Sequence, residues 1–598
     1  MKKFVILVVA AMFALAAFAE KYSPELLQKA QGGNATAQYW LGISLYKGDG
    51  VAQDENEAFR WMEKAADGGH ASAMNWLGFF YENGKGTPKD LAKAIEYYQK
   101  SADKNDDSAM VTLGTKYFKG EGVERNRVKA FHLFHRAAYK ENNTGRLWLG
   151  HCYENGFGVP RSYSQALQEY NFGAKRLDKG CTDALNNLID KLQKSASTDP
   201  EAAEGLATAY AQGWGVEKND YQAFRNYETA ARGGFTTSKT NTGVCYYTGK
   251  GTEMNYPEAL RWFRSAAEEG QVAAMFYLGM MYVNGEGTAP DPAEGARWYR
   301  RAAGLGNRDA MNNLGALYLD GKGMPRNVYK AAEYYEMAMT AGSPEGNSNM
   351  RALLQNLFKH QANDHERAVA GYLLVAGKET QKGLKMLEKA TAKEPLAYGL
   401  LASLWGNGVF LDKDYNKTRD YALQGATRGD IMSYQILGTL YYNGFGVPTD
   451  YNKAAEYWSA ASAGGEVTAT HDMGVLYREG QGVDKNPEKA LEYFTKAMDE
   501  GSFQAMVTLA ALSYSGNGIP RDYDRAFRLL KRCSNFQSSC SKEVYAEITR
   551  NLSACYRFGR GTEANEELAD YWMEISVQNG NSEASDVRSM FGITNHIL

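Results

Sequence analysis

The 598-residue chain has only 6 Cys, 13 Pro and 8 His, and neither charge sign dominates, with 67 Lys plus Arg against 70 Asp plus Glu. So few cysteines exclude a disulfide-stapled scaffold, and so few prolines exclude a collagen-like or proline-rich chain. A formal net charge of −3, mixed along the whole length, supplies no field to gather nucleic acid or an anionic membrane surface. Beyond the first segment no apolar run approaches the length of a spanning helix. Disorder is excluded too, because 44% of the residues are apolar and 12% aromatic. What the chain does have is 62 Gly and 40 Tyr, a composition that points to repetition.

Residues 1–19 read as a secretory leader rather than part of the fold. Met1-Lys2-Lys3 supplies a positive start, Phe4 to Ala16 is a short apolar core, and Ala17-Phe18-Ala19 is a cleavage site before Glu20. No Cys stands there to carry a lipid. The expectation is an exported protein, periplasmic or secreted, without membrane insertion after cleavage.

The repeat is 36 residues long. Leu41-Gly42, Leu77-Gly78, Leu113-Gly114 and Leu149-Gly150 follow one another at that spacing, each trailed by Gly-x-Gly. The frame returns at Ala207, Gly243, Gly279 and Gly315, again at Ala402, Gly438, Gly474 and Ala510, and once more at Ser553, which makes thirteen units. Three residues after the Leu-Gly glycine comes Tyr in ten units, such as Tyr81, Tyr117, Tyr441 and Tyr477, expected to be a core residue. Twelve residues after it every unit has Asp, Asn or Ser, among them Asp54, Asp90, Asn126 and Asp450, which are N-cap residues. Asp291-Pro292 and Asn486-Pro487 place Pro at the first helical position, so a second helix begins there. Gly48, Gly84, Gly120 and Gly156 stand where the first helix must stop, a place that needs positive φ. Small residues such as Ala58 and Ala94 let the helices approach. Each unit is thus helix, a loop of about seven residues, and helix, and it buries its apolar face only by stacking on neighbours.

The string Leu-Gly-x-x-Tyr-x-x-Gly-x-Gly-Val-x-x-Asp-x-x-x-Ala, clearest at Leu437 to Ala454 and at Leu149 to Ala166, resembles the Sel-1-like repeat family, a relative of the tetratricopeptide repeat. The resemblance implies an all-α fold, a right-handed α/α solenoid of about thirteen helix-loop-helix units, used as an adaptor surface with no catalytic residues to carry over. Breaks in the spacing divide the mature chain into a block at 20–175, an extra helix or linker at 176–200, a block at 201–342, a degenerate repeat or joint at 343–394, and a block at 395–598. Within the fourth of these, Ser343 to Gln361 reads as the joint, Arg367 to Thr391 as a degraded helix pair, and the whole as the best interior boundary.

A search for chemistry finds little. There is no His-Glu-x-x-His, no paired Cys-x-x-Cys and no P-loop, and a lone Ser101-x-x-Lys104 lacks the other two β-lactamase motifs. His132-x-x-His135 has the spacing of a metal-binding pair, but its columns hold Arg60, Glu96, Arg261 and Glu333 in other units, which marks a solvated face. No cofactor or metal site is expected. Export allows disulfides, and Cys533 and Cys540 lie seven apart across a helix end, close enough to pair if the insert folds back. Cysteine-rich relatives in the resembled family, to which penicillin-binding or β-lactamase activity is attributed, carry a bridged pair in nearly every unit. This chain does not, so a hydrolase of that type is the alternative to a non-catalytic scaffold, as is a secreted host-interacting factor.

The remaining function is binding of a protein or peptide. If the units stack like tetratricopeptide repeats, the groove is lined by the first-helix columns three before, and one, four and five after, the Leu-Gly glycine. They hold Tyr39, Asn75, Phe79, Asn83, His151, Asn155, Tyr247, Phe276, Asn284, Asn312, Tyr442 and Asn443, aromatics and amides suited to an extended peptide. Asn83, Asn155, Asn284 and Asn443 also precede the helix-ending Gly, where an amide can close the last turn instead. Tyr39 and Phe276 can equally pack between repeats.

Overall fold

The computed structural model describes residues 21–360, 363–537 and 540–580; the expected leader lies outside them. Thirty-one α-helices run through these residues and no strand does. Most repeats consist of two 13-residue helices, as in Ala71–Asn83 and Leu91–Asp103. No helix among the described residues is long and apolar enough to cross a membrane.

The local chemistry is the one the columns call for. In twelve units the second helix starts on a side chain that accepts a backbone N–H, as Asp54 does from Glu57 at 2.9 Å and Asp450 from Lys453 at 3.1 Å. The first helix ends on a left-handed glycine, Gly84 at φ 67° and Gly444 at φ 73° being two of them. The seven-residue loop is closed by one further bond. The N-cap N–H donates to the carbonyl three residues after the Leu-Gly glycine, from Asp90 to Tyr81 at 2.8 Å and from Asp450 to Tyr441 at 2.9 Å.

The Leu-Gly glycine is a socket. A Cβ built on Gly78 would lie 2.6 Å from the Tyr98 ring, and one on Gly474 2.8 Å from Phe494, so an aromatic of the second helix occupies the space a side chain would need. Tyr98, Phe134, Tyr170, Phe263 and Phe494 are the large residues buried this way. The second glycine of Gly-x-Gly has a different neighbour. A Cβ on Gly86 would collide with the Glu55 carbonyl at the head of the preceding unit's second helix, and Gly158 and Gly482 stand in the same relation to Arg127 and Tyr451. The first glycine therefore ends a helix, whereas the second lets one unit's loop close on its neighbour.

The tyrosines three residues after the socket are not simply core. Tyr81 is buried, but Tyr117, Tyr441 and Tyr477 are half-buried. Their rings lie in layers between the two helices of a unit: Tyr441 stacks on Tyr457 at 5.8 Å with the Lys453 ammonium 4.9 Å above it, and Tyr477 is held likewise by Tyr493 and Lys489. A phenol keeps its hydroxyl end near water at little cost, which explains Tyr rather than Phe at this edge.

The first spacing break is a helix, Lys179–Ser195, with Leu185, Leu188, Ile189 and Leu192 buried. The second differs from its reading as a joint. Pro344–His360 is a 17-residue helix whose Met350, Leu353 and Leu357 are buried, and Asp364–Ala376 and Thr380–Ala390 follow it as a pair with a tight three-residue turn. Tyr329 packs against the cores on both sides of this segment, so stacking continues through it. Among the described residues the compact units divide elsewhere: one comprises 21–238 with Glu566–Tyr571, the other Lys239–Asn565 with 572–580.

Candidate functional site

The first helices carry the candidate columns. Asn83, His151, Asn155, Asn284 and Asn443 are exposed, while Phe79, Tyr247, Phe276, Asn312 and Tyr442 are half-buried. Tyr39 and Asn75 do not line an open surface. Tyr39 stacks on His70, the N-cap of the next unit's first helix, with centroids 4.5 Å apart, and burial pushes its phenol up to about 12. Asn75 is 3% exposed, and its Oδ1 has no hydrogen-bond partner among the described residues. Phe276 and Asn312 stand in the same column and are half-buried, so the cover is local to the first units, where Tyr39 meets the next first helix.

Three of the amides close their own helices. Asn83 donates to the Phe79 carbonyl at 2.8 Å, Asn155 to that of His151 at 3.0 Å and Asn443 to that of Thr439 at 2.9 Å. Asn284 reaches instead to Glu286 at 3.4 Å. Tyr247 donates to the same residue, which is the middle of the next unit's Gly-x-Gly, at 2.9 Å. Phe276 lies 5.9 Å from Tyr299, and Tyr442 5.1 Å from Trp458.

In the first compact unit this face is joined by rings. Tyr46 meets Trp76 at 5.3 Å and Phe79 at 5.9 Å; Phe118 meets Trp148 at 5.3 Å and Phe157 at 5.5 Å, with His151 within 6.0 Å of the last two. Trp76, Trp148 and Phe157 were not singled out from the sequence; Trp40, Trp76 and Trp148 share one column, but Thr112 and Asn313 stand there in other units, and the Phe157 column holds Lys85. Between the rings stands Lys116. Burial works against its ammonium, but hydrogen bonds to Glu82 at 2.5 Å and Glu121 at 3.0 Å outweigh that and hold its pKa above the usual range.

In the second compact unit the same face keeps rings at Tyr247, Phe276 and Tyr442 but is polar at two stretches. Asn349 donates to Asn312 at 2.8 Å, Asn312 to Asn313 at 3.5 Å and Asn313 to the Tyr299 hydroxyl at 3.1 Å. Further along, the His471 ring lies 3.2 Å from both Asp472 and Thr508, and Gln435 donates to Asp472 at 3.4 Å. Four of these bonds, Asn349–Asn312, Asn313–Tyr299, His471–Thr508 and Gln435–Asp472, run from one unit to the next and rigidify the face while leaving spare acceptors.

Cys533 and Cys540 do not pair. Both are free thiols: Cys533 is buried, and the Cys540 S–H points at the Phe536 and Gln537 carbonyls, 3.8 Å away. Burial pushes the thiols of Cys152, Cys533 and Cys555 up to about 12, which leaves little thiolate for nucleophilic work. Burial, with His135 beside it, pushes His132 down to about 4. Among the described residues no group of three or more His, Cys, Asp or Glu is gathered as a metal site would need.

The Sel1 repeat matches thirteen successive segments of the chain, four within residues 35–168, four within 200–343, four within 395–532 and the last at 549–581. No curated protein matches. Among solved structures, a protective antigen of uropathogenic Escherichia coli with an SLR fold is 22% identical, with 96% of this chain and 98% of that one covered and a TM-score of 0.27. A Sel1 repeat protein from Oxalobacter formigenes is 26% identical over 55% of this chain and 89% of its own, with a TM-score of 0.28. With the socket glycines, the capped second helices and thirteen matched units in register, the chain belongs to the Sel1 repeat family.

Proposed function

We propose that the protein is an exported, non-catalytic scaffold that holds a protein or peptide partner in the cell envelope or outside the cell. The partner lies along the first helices. One observation carries this reading: the residues that build the frame recur from unit to unit, while the first-helix face changes along the chain, from the rings around Trp76 and Phe118 to the amides and carboxylates around Asn312 and Asp472. A surface that varies on a constant frame is suited to recognition. Export is supported by the leader-like composition of residues 1–19.

Two measurements test the proposal. The N-terminus of the protein recovered from the envelope or medium should begin at Glu20; an uncleaved chain confined to the cytoplasm would contradict export. Cross-linked capture with the full mature chain should yield a recurrent protein that is lost on His151→Glu or Thr439→Glu, each on the first-helix face, and kept on Arg60→Glu, on a second helix. Capture unaffected by both first-helix changes would contradict the assigned surface.

A further inference from the structure

Within the second compact unit, the helix Pro292–Gly304 meets the helix Pro487–Asp499, about 200 residues further along the chain. At one end they touch backbone to backbone. A Cβ on Gly304 would overlap the Gly501 carbonyl, and one on Gly501 would lie 2.5 Å from that of Arg300. Arg301 adds an ion pair to Asp499 at 3.8 Å, and Lys330 on the next second helix lies 3.9 Å from Glu466. The separation of the two helices is therefore fixed by glycines at close approach, not by flexible side chains.

Away from that contact the helices leave a cavity of about 680 Å³, within the roughly 300 to 1,000 Å³ of small-molecule sites. Its walls differ in sign. Pro292–Gly304 contributes Arg297, Arg300 and Arg301 with Glu294, which pairs with Arg297 at 3.3 Å, and is cationic on balance, while Glu492, Asp499 and Glu500 come from the other side, with Lys496 among them, and leave it anionic on balance. The walls satisfy one another only in part, through the Arg301–Asp499 pair. Glu500 Oε2 is buried without a hydrogen-bond partner among the described residues, and so is Nε1 of Trp298, whose residue is 8% exposed and lines the cavity. Burial raises the Glu500 carboxyl pKa, with Lys496 and Arg300 opposing it. A buried acceptor and a buried donor left open beside one cavity are the groups that a ligand would satisfy.

We infer that this cavity binds a small zwitterion, a short peptide with both termini free, its ammonium toward Glu492 and Glu500 and its carboxylate toward Arg297 and Arg300. A polyanion would meet the acidic wall and a polycation the arginine wall, so the two-signed lining selects against both. The site is independent of the first-helix surface, since both of its walls are second helices.

The test is equilibrium dialysis of the full mature chain against trialanine, N-acetyl-trialanine and trialanine amide. Trialanine should bind saturably at one site per chain, and either cap should weaken it at least about tenfold by removing one charge. Glu500→Gln and Arg300→Gln should each weaken it at least about fivefold, while Arg60→Gln in the first compact unit leaves it unchanged. The two cavity variants should retain the helical circular dichroism and melting profile of the parent, so lost binding is not lost folding. No saturable binding up to about 10 mM, equal binding of the capped peptides, or binding unmoved by both cavity substitutions would overturn the inference.

Discussion

The first helices of the two compact units share a frame and differ in what they present. Around Trp76, Phe79, Phe118 and Trp148 the face is aromatic; around Asn312, Asn313, His471 and Asp472 it is a chain of hydrogen bonds. Beneath both lie the same glycine socket, the same Ala column and the same N-cap bond to the carbonyl one loop back. The difference teaches that one repeat holds some columns constant and lets others change. The frame columns face neighbouring helices and tolerate few residue types, whereas the others are free to diverge.

The comparison can be broken most severely at the frame. Gly158→Val in the first unit and Gly482→Val in the second should each cost at least about 4 kcal/mol, because both glycines have φ 68° and a Cβ at either would collide with a neighbouring carbonyl. Urea denaturation measures the loss; a much smaller cost in either unit would show that the frame is not common to both. Trp76→Ala should cost about 3 kcal/mol, and hydrogen exchange should place the loss in units adjoining residue 76. Thr508→Ala, which removes one hydrogen-bond partner of His471 on the polar face, should cost only about 1 kcal/mol.

The sequence exposed the frame because it repeats: thirteen copies reveal the caps, the helix-ending glycine and the Leu-Gly position without any reference to packing. It did not expose what faces what between units. The second glycine of Gly-x-Gly meets the head of a helix about 30 residues earlier, as Gly86 meets the Glu55 carbonyl, and the side chain filling a Leu-Gly socket comes 20 residues later and varies among Tyr, Phe, Trp and Met, so neither role has a one-column signal. The candidate site was legible as a set of columns, but the burial of Tyr39 and Asn75 follows from contact with the next helix. The segment 344–360 read as a joint because it lacks the unit's landmarks, although Met350, Leu353 and Leu357 carry a helical spacing.

Acid acts in opposite senses on two kinds of buried group. Burial lowers the His132 pKa to about 4 against an ordinary value of 6.5, so the unfolded chain binds the proton first. Its contribution is fully present above pH 6.5 and is lost as the pH falls toward 4, by about 2 kcal/mol once partial exposure is allowed for. In the second unit Asp430 has the opposite sense: burial raises its carboxyl pKa, so protonation on acidification favours the folded form there. Hydrogen exchange at pH 6.5 and 4.5 should show units around residue 132 loosening, and His132→Gln should remove that part of the change. Smallest of all, Asp450→Ala should cost about 1 kcal/mol and loosen its neighbouring units more than distant ones. Uniform loosening along the chain would contradict nearest-neighbour coupling.

The most direct test of the scaffold account is site-specific photo-cross-linking in the native cell envelope and medium. A photoreactive phenylalanine analogue is placed at 83, 151 or 443 on the first helices, and at 60 or 136 on exposed second-helix surfaces. The account predicts a discrete protein adduct from first-helix positions and none from the second-helix ones. Adducts confined to the second-helix positions, or none from any first-helix position, would contradict it.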